Sequence, residues 1–153
     1  MTFIRYASFM LLAALAGCGK DPPAPVPPPT GSAVAPDDAT RIRGQWIASS
    51  VRREEGKPEE VPNDYTLRLD NGNYTMQFGD SNESGKYTLL PTVSPKQIDL
   101  ATSEGELRKG IYVLDGDRLT ICTPDQPGAP RPTEIKAHAD ENRVAVITFT
   151  RTK

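Results

Sequence analysis

The chain has 153 residues, 37% hydrophobic and 25% charged, with 18 Lys and Arg against 20 Asp and Glu and a net charge of −2. That balance excludes a basic nucleic-acid binder, and the length supports one modest core rather than two. Two cysteines, Cys18 and Cys122, and a single histidine, His138, leave little material for metal or nucleophilic chemistry.

The first residues carry one positive charge, Arg5, then an apolar run from Ala7 to Leu15 that ends in Ala16-Gly17-Cys18. A run of this length is short for a membrane span and suits a secretory signal peptide, residues 1–17. Leu15-Ala16-Gly17-Cys18 resembles the lipobox of bacterial lipoproteins. The resemblance implies cleavage after Gly17, a diacylglyceryl thioether on Cys18 and acylation, of the palmitate kind, at the new amino terminus. Several acyl chains exceed the two signals that stable attachment needs, since each buried methylene contributes about 0.8 kcal/mol. Removing Arg5 with the signal peptide leaves 17 basic against 20 acidic residues, a net charge near −3.

Residues 18–41 form the expected linker. Seven of the chain's 15 prolines fall there: Pro22, Pro23, Pro25, Pro27, Pro28, Pro29 and Pro36. Proline fixes φ and lacks the amide donor, so the segment favours an extended polyproline II spacer, disordered with respect to the domain. At about 3.1 Å per residue it would reach roughly 60 Å. Pro25 and Pro28 form one P-x-x-P, a spacing that arises readily in any such tract.

Residues 42–153 read as one all-β domain. Gly44 to Val51 is a first strand, ended by the charged turn Arg52 to Pro58. Asn71-Gly72 is the strongest hairpin signal in the chain, because a type I′ turn needs positive φ at both central positions. Closing the turn there pairs Asp70 with Asn73, Leu69 with Tyr74, Leu67 with Met76 and Tyr65 with Phe78, so that six apolar side chains share one face. Gly79 to Gly85 reads as a polar loop, Lys86 to Leu90 as a strand and Lys96 to Thr102 as another. Lys109 to Thr123 is a hairpin around Asp115-Gly116. A two-residue turn there puts Tyr112 opposite Leu119; a three-residue turn puts Ile111 there and strands Leu114 in the loop, which favours the first. Thr133 to Ala137 is a candidate short strand and Arg143 to Arg151 a strongly β-prone last one. No segment carries a helical period of useful length.

About eight short strands joined by tight turns describe a sandwich or a small antiparallel up-and-down barrel. Gly44-Gln45-Trp46 looks like the Gly-x-Trp start of lipocalin-like barrels. More widely, the chain is similar to the uncharacterised lipocalin-like domains abundant in planctomycete bacteria. The residues that carry this are Gly44-Gln45-Trp46, Gly56-Lys57-Pro58, Gly85-Lys86-Tyr87, Pro95-Lys96 with Ile98-Asp99-Leu100, Gly110-Ile111-Tyr112, Leu114-Asp115-Gly116-Asp117 with Leu119 and Cys122, and Arg131-Pro132-Thr133-Glu134. The resemblance implies a lipocalin-like barrel with Trp46 across its closed end, and no established activity. The lipobox and spacer depart from it and imply a domain held at a membrane in the cell envelope, outside the cytoplasm.

Candidate chemistry is sparse. Cys122 and His138 are the one possible nucleophile and base, and nothing nearby in sequence primes either; Cys122 reads as a small apolar residue beside a sheet, His138 as part of the loop before the last strand. Asp80, Asn82, Ser84 and Gly85 copy the first half of a calcium loop, but its twelfth position is Pro91 where a bidentate Glu is needed. Asp99, Glu104 and Glu106 sit in or near a turn and read as a soluble rim. No catalytic, cofactor or metal residue is therefore assigned, and an enzyme is not expected. The candidate ligand-facing or core residues are Trp46, Tyr65, Leu67, Leu69, Tyr74, Met76 and Phe78. A small apolar ligand or peptide, or an envelope protein, is the expected partner, because an eight-stranded barrel holds one small ligand or is filled by side chains.

Overall fold

A computed structural model of the chain describes residues 37–55, 58, 59, 61, 64–140 and 142–153. The chain falls into two units, Met1–Val34 and Ala35–Lys153, and every described residue belongs to the second. Cys18, the apolar run before it, the proline spacer, Gly56 and Lys57 lie outside the described residues.

One helical turn, α1 (Asp38–Arg41), leads into eight strands: β1 (Gly44–Arg52), β2 (Thr66–Asp70), β3 (Asn73–Phe78), β4 (Ser81–Leu90), β5 (Gln97–Thr102), β6 (Leu107–Asp115), β7 (Arg118–Pro124) and β8 (Val144–Arg151). Each pairs antiparallel with the next, and β8 pairs back onto β1, so the sheet closes as an up-and-down barrel with no free edge. Asp38–Arg41 therefore belongs to the domain rather than to a linker running to residue 41. Asp37 caps the turn through a side-chain bond from the Thr40 amide at 2.9 Å, and Asp38 is buried.

The β2–β3 hairpin has the expected register, Leu69 opposite Tyr74 and Leu67 opposite Met76. Asn71 and Gly72 have φ of 47° and 79°, the two positive values that a type I′ turn requires. Of the six apolar side chains on that face, Tyr65, Leu67, Leu69 and Tyr74 are buried and Met76 is half-buried, whereas Phe78 is 44% exposed. Phe78 lies at the barrel rim, its ring edge-on to Tyr65 at 4.9 Å.

The β6–β7 turn falls elsewhere than expected. Asp115 pairs with Arg118 and Leu114 with Leu119, so Gly116-Asp117 is the two-residue turn and Tyr112 faces Ile121. Gly116 has φ of 55°, and positive φ at the first central position alone marks a type II′ turn. Reading Asp-Gly as the turn puts glycine second; this hairpin needs it first. The side-chain parity is unchanged by the two-residue shift, so Tyr112 and Leu114 still point inward.

Two further expectations fail for one reason each. Residues 81–85 are not a loop: Gly79-Asp80 makes the turn, and Ser81 to Gly85 pair with Tyr74 to Phe78. Their outward side chains are exposed and their inward positions near the rim are Ser81, Glu83 and Gly85 rather than apolar residues, which hides the strand from any hydrophobic pattern. Residues 133–137 form no strand. They cross the outside of the barrel instead, where Ile135 and Ala137 pack on Ile111, Cys122, Val144 and Val146, an apolar patch on the outer face of β6, β7 and β8.

Inside, alternate residues of all eight strands meet. Trp46, Leu67, Leu69, Ile98, Leu119 and Phe149 are fully buried, with Tyr74 and Tyr112 nearly so. In β1 a bulge at Ser49 inserts an extra residue, which lets Ala48 and Val51 both face inward despite their odd spacing. Gly72→Val tests the β2–β3 turn. An added Cβ there meets nothing closer than the Tyr87 carbonyl oxygen at 3.8 Å, so the cost is backbone strain alone. We expect a loss of about 1–3 kcal/mol in chemical denaturation; an unchanged midpoint would place the turn elsewhere.

Candidate functional site

The two ends of the barrel differ in chemistry. At one end α1 closes the opening. Ile42 follows it into the core, and the Trp46 indole N–H donates to the Ile42 carbonyl at 2.9 Å, satisfying the donor that a fully buried tryptophan must place. Arg151, opposite Trp46 in the β1–β8 ladder, lies with its guanidinium carbon 4.1 Å from the indole centroid. Its nitrogens also donate to the Arg43 carbonyl at 2.6 Å, to the Arg41 carbonyl and to Asp117 at 3.1 Å. One side chain thus fastens the end of the last strand to the turn before the first.

Asp38 anchors the same plug. Its carboxylate accepts from Lys96 Nζ at 2.7 Å and from the Tyr112 hydroxyl at 2.8 Å, with Arg41 at 3.6 Å. Burial by itself raises the Asp38 pKa, but the hydrogen bonds from Lys96 and Tyr112 and the charges of Lys96 and Arg41 outweigh it, leaving the carboxyl below its ordinary range. Burial, and then the bond to Asp38, push the Tyr112 hydroxyl far up.

The opposite end is open. Inward-facing Tyr65, Met76, Leu100, Ile121, Ala145, Ile147 and Phe149 surround a recess of about 60 Å³, and Arg53, Arg108, Thr123 and Asp125 border it. Leu100 pairs with Arg108 across β5 and β6, and Met76 with Glu83 across β3 and β4, so strand parity carries both charged residues inward. Arg108 forms an ion pair with Glu83, which also accepts from the Tyr74 hydroxyl at 2.7 Å. The Arg108 Nε–H is buried and has no acceptor among the described residues. Tyr65 donates to the Met76 sulfur at 3.4 Å, and burial pushes its hydroxyl up to about 12.

Of the seven side chains named from the sequence, Tyr65 and Met76 border the recess. Trp46, Leu67 and Leu69 are packed core, Tyr74 is core with its hydroxyl on Glu83, and Phe78 is at the rim. Arg108, Glu83, Arg151 and Asp38 were not found from the sequence. An alternation read through Ser81, Glu83, Gly85, Tyr87 and Leu89, and through Arg108, Gly110, Tyr112 and Leu114, places the first two inside.

Cys122 is fully buried under the crossing segment, its thiol directed at the Glu134 and Lys136 carbonyls at 3.5 and 3.7 Å, and burial raises its pKa. That is the opposite of what an attacking thiolate needs. His138 makes a backbone bridge to Val144 just before β8. Asp99 pairs with Arg131 at 2.7 Å, and the same arginine donates to the Gly110 carbonyl at 2.6 Å, holding the crossing segment to the wall. Asn82, Ser84 and Gly85 lie along β4 rather than around an ion, and among the described residues no group of three or more His, Cys, Asp or Glu could hold a metal.

The plug has a pH signature. Because the folded Asp38 pKa lies below the ordinary carboxylate value of 3.8, its contribution to stability is complete above that value and is lost as pH falls through the lowered one. Asp38→Asn is expected to cost about 1–3 kcal/mol at neutral pH and to flatten the acid limb of stability against pH. Denaturant titrations from pH 2 to 7 decide this; an unaltered acid limb would contradict the role given to Asp38. Compared with known protein families, curated proteins and solved structures, the chain matches none.

Proposed function

We propose that this chain is a lipid-anchored, non-catalytic binding domain of the bacterial cell envelope, with a lipocalin-like barrel whose open end receives its ligand. Supporting the anchor are the lipobox Leu15-Ala16-Gly17-Cys18 and the proline spacer after it. In favour of the lipocalin-like kinship are Gly44-Gln45-Trp46 at the start of β1 and the burial of Trp46 beneath Arg151 at the closed end. The carrying observation for binding is the contrast between the ends: one is sealed by α1, Trp46 and Arg151, the other is a recess bordered by Arg53 and Arg108. At about 60 Å³ the recess takes about two water-sized groups, which argues against long acyl chains or retinoids as interior cargo.

A second reading, a filled barrel serving as a protein-interaction module, draws on the packed interior and on apolar side chains at the open rim, Phe78 at 44% and Leu107 at 39% exposure. The two differ in ligand response. A binding mouth predicts thermal stabilisation by small apolar molecules and none by hexadecanoate; the filled barrel predicts none by either. For the anchor, Cys18→Ser should shift the protein from the membrane to the soluble fraction, and unchanged membrane association would remove the lipid tether from this reading.

A further inference from the structure

If the open end is the binding mouth proposed above, its ligand class follows from the atoms that border it. We propose that the recess binds short-chain monocarboxylates, with a tail of two or three carbons inside the barrel and the carboxylate at Arg108. The floor is apolar, made by Leu100, Ile121, Ala145, Ile147 and Phe149, so it favours a hydrocarbon tail over a polar one. Its volume of about 60 Å³ limits that tail to about two or three carbons.

The head group is selected by Arg108. One of its terminal nitrogens is held by Glu83, which fixes the guanidinium plane, while Nε–H is buried with no acceptor among the described residues. A buried donor left without an acceptor is a standing cost that an incoming carboxylate oxygen removes. The second nitrogen on that edge is the one Glu83 already holds, so an incoming carboxylate meets Arg108 through the single Nε–H, beside the Glu83 pair. Neighbouring charges keep this selective without making the mouth a general anion trap. Arg53 lies on the recess border but is paired with Glu59 at 2.8 Å, and Asp125 on the same border repels a second negative charge. Monocarboxylates are favoured over dicarboxylates and phosphates for that reason. Tyr65, whose hydroxyl stays protonated to about pH 12, adds a neutral wall rather than a competing anion.

The test is a titration of the full-length protein in detergent with carbon-13 carboxyl-labelled butyrate, followed by nuclear magnetic resonance line broadening, with 1-butanol, succinate and decanoate as comparators. We expect saturable broadening by butyrate, with weaker binding of each comparator. Arg108→Gln should weaken butyrate by about tenfold or more while sparing 1-butanol. Ala145→Leu, which fills the recess from β8 and leaves the Glu83–Arg108 pair alone, should abolish both. It also keeps the test decisive if Arg108→Gln fails to fold. Butyrate binding that survives Ala145→Leu overturns the site. Binding of 1-butanol without butyrate, lost in Ala145→Leu, overturns the carboxylate assignment and leaves the mouth standing. Binding of none of the four overturns both.

Discussion

The barrel depends on the seam between its first and last strands, and Arg151 is the side chain that closes it. Seven of the eight strand pairings join neighbours in sequence, most of them over short connections, with longer segments only before β2 and before β8. The eighth, β1 with β8, brings together residues about a hundred positions apart. It is held by the buried pairs Ala48–Phe149 and Val51–Ile147 and, at its end, by Arg151, which covers the Trp46 ring and reaches the carbonyls of Arg41 and Arg43. A cation held over an aromatic face and fixed by several acceptors gives a geometry that a hydrophobic contact alone would leave free to slide.

Once the seam is set, the interior volume is set with it. Eight strands enclose little more than their own side chains, and the large residues Trp46, Tyr74, Tyr112 and Phe149 use nearly all of it. The space that remains is at the end where inward positions switch from aromatic and aliphatic residues to Glu83, Arg108 and Thr123. Charged residues facing into a barrel are expensive unless paired, and here the pair spans β5 with Tyr74 as a third partner. The open end is thus polar at its border and apolar at its floor, whereas at the closed end the polar groups are tied up in two clusters, Asp38 with Lys96 and Tyr112, and Arg151 with Asp117 and the Arg41 and Arg43 carbonyls.

Legibility in the sequence followed the strength of local signals. Asn71-Gly72 fixed one register because two positive φ values admit few other residues, and the alternation on either side agreed with it. Gly116 was misread because Asp-Gly and Gly-Asp both satisfy a two-residue turn, and only the partner strand decides between them. Ser81 to Gly85 was illegible because its inward positions are Ser, Glu and Gly, which leave no hydrophobic period to read. Glu83 disappeared with it, and the functional reading of the mouth with Glu83. Arg151 and Asp38 were beyond reach for a different reason: each acts on a residue far along the chain, and no local spacing encodes such a contact.

The crossing segment outside β6, β7 and β8 completes a second, smaller apolar layer around Ile111, Cys122, Val144 and Val146. It is pinned by Arg131 to Asp99 and to the Gly110 carbonyl. Because that layer includes the start of β8, the last strand is sandwiched: Ala145, Ile147 and Phe149 pack inward while Val144 and Val146 pack outward. During synthesis β1 to β7 emerge first, as a curled sheet with an exposed edge at each end, and the chain has no closed form until residues 144 to 151 exist. A strand wanted by both layers is well suited to arrive last. Its two faces, Ala145, Ile147 and Phe149 on one and Val144 and Val146 on the other, both become buried when it pairs, so closing the barrel removes apolar surface from water on two sides at once.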